Sequence, residues 1–169
     1  MSASFSDFSI FIQDKLKFNR ISSFTPIQSQ VIPFFLTSSD SLIALAPTGS
    51  GKTLSYVLPL LDHLSKNPSS SSLIVLPTRD LALQVFRVVN SYKSSSISVI
   101  SVIGGTSITQ DVRNLSRRPN LIIGTPGRLV SHIDSLKKLN VDHLIMDQVD
   151  RLLDDGFKKE YDMLVRCYP

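Results

Sequence analysis

The sequence holds one cysteine in 169 residues, Cys167, so no disulfide can form within the chain, and nothing near it in sequence marks a reactive thiol. It has no long apolar span and no apolar N-terminal stretch of the signal-peptide kind, which predicts a soluble, intracellular chain with no membrane partner. The three histidines, His63, His132 and His143, lack metal-ligand spacing and have no serine or cysteine partner. That excludes a histidine-based metal centre and a nucleophile triad, and we read them as structural or exposed. Charge of one sign is also scarce. The net +4 permits an anionic partner without requiring one, and Arg113, Arg117, Arg118, Lys137 and Lys138 read first as solvated surface. No linker long enough to separate two domains is present, and 42% hydrophobic with 19% charged residues is ordinary globular composition with one core.

What the chain does have is a glycine loop. Ala46, Pro47, Thr48, Gly49, Ser50, Gly51, Lys52 and Thr53 follow an apolar run, Leu42 to Leu45, and precede a helical pattern at Leu54, Val57, Leu58 and Leu61. Strand, tight loop and helix start form the setting of a phosphate cradle. Glycine accepts φ > 0, so backbone N–H groups can turn inward on a polyphosphate, and the helix N-terminus adds partial positive charge. Lys52 would reach the outer phosphates and the Thr53 hydroxyl would ligate Mg²⁺.

Apolar runs recur at Leu73 to Leu76, Ile97 to Ile103, Leu121 to Ile123 and Leu144 to Met146, with helical patterns between them. Continuous apolar strands separated by helical crossovers predict an α/β fold with a parallel sheet of five or more strands and helices on both faces. Ser69 to Ser72 and Ser94 to Ser96 fall between these runs and read as surface loops. Upstream, Phe8, Ile12 and Leu16 have helical spacing, and Thr25-Pro26 predicts an N-cap and first helical residue for a second helix running towards Leu36. Ligands of such sheets sit at the carboxyl ends of the strands, where the remaining motifs fall. Leu144-Ile145-Met146-Asp147 is one of them, an apolar strand ending in a carboxylate placed to share Mg²⁺, partly through water, with Thr53.

Asp147-Gln148-Val149-Asp150, taken with the loop at Ala46 to Thr53, resembles the acidic tetrad of DEAD-box RNA helicases. The chain as a whole resembles the N-terminal domain of that family. The resemblance implies a P-loop, RecA-like three-layer sandwich, with adenine-recognition helices over residues 1–40 and the RecA-like ATP-binding domain over 41–169, the two forming one structural domain. Phe24-Thr25-Pro26-Ile27-Gln28 is similar to the family's adenine-reading segment, which implies ATP contacts from Thr25 and Gln28. A carboxamide offers the donor and acceptor that the adenine edge asks for. The family's stacking aromatic falls to Phe5, with Phe8 second. Arg20 and Ile21 stand where a glycine and an aromatic are usual.

The resemblance also implies RNA contacts from three strand-end segments. These are Pro77, Thr78 and Arg79 within Pro77-Thr78-Arg79-Asp80-Leu81-Ala82-Leu83-Gln84, then Gly104 and Gly105, then Thr125, Pro126, Gly127 and Arg128. Asp80 stands where glutamate is usual. Each segment puts N–H groups, a hydroxyl or an arginine where phosphate oxygens can be held without base reading. Asp155-Gly156-Phe157 continues the pattern, and Leu115 to Asn120 is similar to the equivalent stretch in helicases of ribosome assembly.

Lys52, Asp147 and Gln148 are the implied catalytic residues, but position 148 carries glutamine where the family has glutamate. Gln148 can hydrogen-bond an attacking water and cannot take its proton. The chain also stops before the family's Ser-Ala-Thr motif and its second RecA-like domain. The expectation is therefore an ATP-, Mg²⁺- and RNA-binding half of a helicase that hydrolyses poorly alone, its absent domain and protein cofactors counted among its partners. A non-hydrolysing, ATP-gated RNA clamp is the alternative. Nucleus, nucleolus and cytoplasm are left open.

Overall fold

The computed structural model describes residues 4–154 and 156–168. The chain divides into two compact units, one formed by residues 1–66 with 91–94, the other by 67–90 with 95–169.

The first unit contains a short 3-10 turn at Phe5–Asp7 and three helices, α1 (Ile10–Phe18), α2 (Pro26–Thr37) and α3 (Lys52–Lys66). Ile12 and Leu16, one turn apart on α1, are buried with Phe8, as their spacing predicts. Pro26 opens α2 at a position whose N–H would have no helical partner, and the Gln28 carboxamide oxygen accepts from the Thr25 N–H there, one half of a capping box. α2 packs along α3, whose Val57, Leu58, Leu60, Leu61 and Leu64 are almost wholly withdrawn from solvent. Each such side chain contributes about 1.5–3 kcal/mol of burial.

The second unit is built on four parallel strands, β1 (Ser71–Val75), β2 (Val99–Val102), β3 (Leu121–Gly124) and β4 (Val141–Met146), ordered β2-β3-β1-β4. Between and after them run α4 (Arg79–Tyr92), α5 (Ile108–Ser116), α6 (Pro126–Val130), α7 (Ile133–Leu136), α8 (Val149–Asp154) and α9 (Lys158–Cys167). Leu73, Val75, Val102 and Ile122 pack with Leu115, Leu129, Leu136, Leu152 and Leu164 into one core. Ile74, Leu121 and Ile123, at the alternate positions, are buried as well, which is why β1 and β3 read as continuous apolar runs.

Two expectations are corrected. Leu42 to Leu45 is not a strand: the sheet has four strands, and Ile43 and Leu45 are 88% and 90% exposed. An apolar run becomes a strand only where a ladder accepts its N–H and C=O groups, and none is formed there. Conversely, Ser71 and Ser72 are not surface loop but the buried start of β1. Their N–H groups donate to the carbonyls of Asn140 and Asn120, and the Ser71 hydroxyl donates to the Pro119 carbonyl at 2.7 Å. These hydrogen bonds let small hydroxyl residues stand where apolar residues would be expected, although the Ser72 hydroxyl itself has no partner.

Gly124 ends β3 with no room for a side chain. A Cβ there would lie 2.4 Å from the Val102 carbonyl oxygen and 2.8 Å from the Leu129 side chain. Because the nearer atom is backbone of a paired strand, it cannot yield cheaply. Gly124→Ala is expected to lower unfolding free energy by about 2–4 kcal/mol, read from the urea midpoint; an unchanged midpoint would show that β2 and β3 can part at this end.

Candidate nucleotide and RNA site

In the first unit the glycine loop is shaped by two residues in the left-handed region, Gly49 at φ 81° and Gly51 at φ 92°, and leads into α3 at Lys52. The Lys52 ammonium folds back over the loop and donates to the carbonyls of Ala46 and, at 3.0 Å, of Pro47. The loop's last carbonyl, Gly51 O, accepts twice, from Ser55 N–H at 3.2 Å and from Gln28 Nε2 at 3.1 Å. Gln28, 4% exposed, uses its other end to accept from Thr25 N–H at 3.0 Å. One carboxamide thus ties the start of α2 to the loop. Ser50 Oγ is buried and makes no hydrogen bond. Positive-φ glycines, a lysine over the loop and an unsatisfied hydroxyl fit a phosphate chain at the head of a long helix.

Beside α2, Ser4, Phe5, Ser22, Ser23, Phe24 and Ser29 line an open hollow of about 450 Å³. Phe5 meets Phe24 edge-on at 4.6 Å, whereas Phe8 is 4% exposed and packs beneath. Of the two stacking candidates, Phe5 is the one on the hollow, which Phe24 also lines. Arg20 sits at φ 57°, the conformation for which glycine is the ordinary choice. Sequence reasoning missed Asp62, buried on α3. It accepts from Ser9 N–H at 2.8 Å and Lys66 Nζ at 2.6 Å, and so fixes the segment that carries Phe5 and Phe8. Its signal is a carboxylate amid the apolar residues of α3.

In the second unit the strand ends bring the remaining motifs together. Val75, Gly124, Val102 and Met146 occupy one row of the sheet, so Pro77-Thr78-Arg79, Gly104-Gly105, Thr125 to Arg128 and Asp147-Gln148 leave it at one edge. Arg79 is exposed, and its guanidinium lies against Gly105, where a Cβ would come within 2.7 Å of Nη1; Gly105 has φ 86°. Thr125 and Pro126 open α6 as N-cap and first residue, and Gly127 is exposed with open space around it.

Arg128 points elsewhere: Nε donates to Asp111 Oδ2 at 2.8 Å and Nη2 to the Thr106 carbonyl at 2.6 Å. His132 Nε2 lies 3.4 Å from the same carboxylate oxygen. Asp111 and Thr106 escaped the sequence reading, while His132, read as structural or exposed, is buried. The signal was present for Asp111, a carboxylate one turn before Leu115 on the buried side of α5.

Asp147 N–H extends the ladder to the Val75 carbonyl at 3.0 Å, and its Oδ1 accepts from Gln148 N–H at 2.9 Å. Gln148 has φ 55°. Asp155 lies outside the described residues. Among the described residues no three His, Cys, Asp or Glu side chains converge as a metal cluster, and no helix is long and apolar enough to cross a membrane.

A family model described as DEAD/DEAH box helicase matches residues 25–169. The chain is 35% identical to an ATP-dependent rRNA helicase RRP3 of Encephalitozoon cuniculi, over 83% of this chain and 36% of that protein. It is 36% identical to a probable ATP-dependent RNA helicase of Methanocaldococcus jannaschii, over 85% of this chain and 40% of the other. A solved structure of Mss116p bound to single-stranded RNA and AMP-PNP aligns with TM-score 0.88 and 27% identity, over 99% of this chain and 37% of that one. The chain thus spans well under half the length of the relatives it matches.

The two loop glycines should respond differently to alanine. At Gly49 nothing lies within 4 Å of an added Cβ, so only the left-handed backbone resists, at about 1–2 kcal/mol. At Gly51 the Cβ would also come within 2.5 Å of Gln28 Nε2 and expel it from the Gly51 carbonyl. Urea unfolding should show Gly51→Ala the more destabilised by about 1–3 kcal/mol, the range for stranding buried hydrogen-bonding groups; equal losses would mean that Gln28 does not brace the loop.

Proposed function

The chain belongs to the DEAD/DEAH box helicase family, and from that premise we propose that it is the ATP- and RNA-binding half of an ATP-dependent RNA helicase that opens short duplexes or remodels RNA–protein complexes. The observation that carries this is the Gln28 carboxamide spanning Thr25 and Gly51, because it joins an adenine-edge segment directly to a phosphate loop. Phe5 stacks on the base in the hollow it lines, while the loop from Ala46 to Thr53 holds the phosphates and Lys52 exchanges its loop carbonyls for them. Thr53 and Asp147 are the residues that would hold Mg²⁺, Asp147 through water, and the ion would supply positive charge to the phosphates.

RNA lies along the edge where Pro77 to Arg79, Gly104-Gly105 and Thr125 to Arg128 leave the sheet, held by its backbone with little base preference. The rRNA helicases among the relatives, and the stretch Leu115 to Asn120, support an RNA of ribosome assembly as the substrate. A second domain, supplied elsewhere in the full-length protein, contributes the arginines that stabilise charge on the transferred phosphoryl group, worth on the order of a thousandfold in rate.

Gln148 supports a second reading, an ATP-gated RNA clamp in which hydrolysis is dispensable. Its amide can orient a water but cannot accept the proton that the attack releases.

Two measurements test these readings. In nucleotide binding to this chain, ATP should be preferred to GTP, Lys52→Ala should weaken ATP at least tenfold, and RNA should compete for the second site better than DNA of the same sequence. Indifference between ATP and GTP would overturn the adenine assignment. In the full-length protein, Gln148→Glu should raise RNA-stimulated ATP turnover by about 10²–10⁴-fold, the range for a positioned general base; turnover that stays flat would remove Gln148 from the reaction.

A further inference from the structure

The RNA edge contains one arginine that faces solvent and one that does not. Arg79 is exposed beside Gly105, while the Arg128 side chain is 13% exposed and its donors are directed into the protein. Its Nε reaches Asp111 on α5, and its Nη2 reaches the carbonyl of Thr106, the residue that follows Gly104-Gly105. The Thr106 hydroxyl donates to the Ile103 carbonyl at 2.8 Å and lies 3.4 Å from both Asp111 oxygens. Asp111 itself is 2% exposed, with His132, also buried, 3.4 Å from the same Oδ2 that accepts from Arg128. A buried carboxylate is retained only with partners that repay its lost hydration, and the side-chain partners here come from the loop after β2 (Thr106), from α6 (Arg128) and from the turn between α6 and α7 (His132).

We propose that Asp111 is a positioning residue that clamps the loop at 104–107 to the start of α6 at 125–128 through Arg128, and that Arg128 sets the RNA site without touching RNA. The proposal rests on the RNA reading given above and narrows it. Phosphate oxygens are held by Arg79 and by backbone N–H groups of both loops, and their spacing is fixed by the Asp111–Arg128–Thr106 bridge. A planar guanidinium presents its donors to the carboxylate and the carbonyl in a fixed fork, a geometry that an ammonium on a flexible stem does not preset, so lysine is a poor substitute at 128.

The salt dependence of RNA affinity separates positioning from contact. Each phosphate neutralised adds about 0.7 to the slope of log K against log salt for a single strand. With a fluorescent single-stranded RNA decamer and the full-length protein, Asp111→Asn and Arg128→Lys should each weaken binding about tenfold with the slope unchanged, and ATP affinity should hold. Arg79→Ala should lower the slope by about 0.7. Amide exchange at residues 104–107 and 125–128 should rise in Asp111→Asn, and Asp111→Glu should recover part of the affinity.

The proposal is overturned if Arg128→Lys binds like the parent while Arg128→Ala loses about 0.7 of slope, since that is the behaviour of a phosphate ligand. It is equally overturned if Asp111→Asn leaves both affinity and amide exchange unchanged. A parent protein that binds no RNA at any salt overturns the RNA reading instead, and the exchange measurement then still decides whether the two loops are clamped.

Discussion

Parallel pairing is the constraint on which the second unit depends. Strands that run the same way end on the same edge, and here the register puts Val75, Val102, Gly124 and Met146 in one row. Whatever residue follows each of them is delivered to that edge by the ladder rather than by its own chemistry. Thr125 and Asp147 continue the pairing for one more residue, through hydrogen bonds to the carbonyls of Val102 and Val75, before the chain turns into α6 and α8. Motifs separated by some seventy residues of chain are thereby neighbours, and β1, paired on both sides, sets the level at which they emerge. Gly124 shows how tightly this is drawn, since a methyl group there would strike the carbonyl that closes the ladder.

The first unit solves a different problem, the bracing of a loop that has little regular structure of its own. A loop whose turn is glycine, serine and threonine has few apolar side chains to pack, so its shape must be held by hydrogen bonds from outside. Gln28 and Ser55 both bond the Gly51 carbonyl, and the rest of Gln28 is used in capping α2. The same carboxamide that a sequence reading assigns to a base is therefore a structural brace. The two roles are compatible, because the amide and carbonyl can each take a further partner.

Much of this was legible because its causes are local. Positive-φ glycines, the proline at the start of α2, the threonine-proline start of α6 and the apolar strands β1 to β4 follow from residue type and spacing. What escaped depends on partners distant in sequence. Leu42 to Leu45 has a strand's composition and finds no ladder, while Ser71 and Ser72 have a loop's composition and find one. Asp62 and Asp111 read as ordinary helix carboxylates until burial shows that each serves a segment elsewhere in its unit. His132 is fixed by its neighbour Asp111 and by nothing in its own stretch of sequence.

Gln148 combines both kinds of cause. Its left-handed backbone follows from the abrupt exit of the chain from β4, with the Asp147 carboxylate accepting its N–H across the turn. That conformation resists any side chain with a Cβ, so glutamate and glutamine bear the same strain. They also have the same shape and number of heavy atoms, so packing cannot choose between them. What separates them is one unit of charge and the ability to take a proton. Packing is therefore indifferent to which residue stands at 148, and the difference is one of charge: a glutamate would set a carboxylate where the Gln148 carbonyl oxygen now lies 3.5 Å from the Arg151 guanidinium.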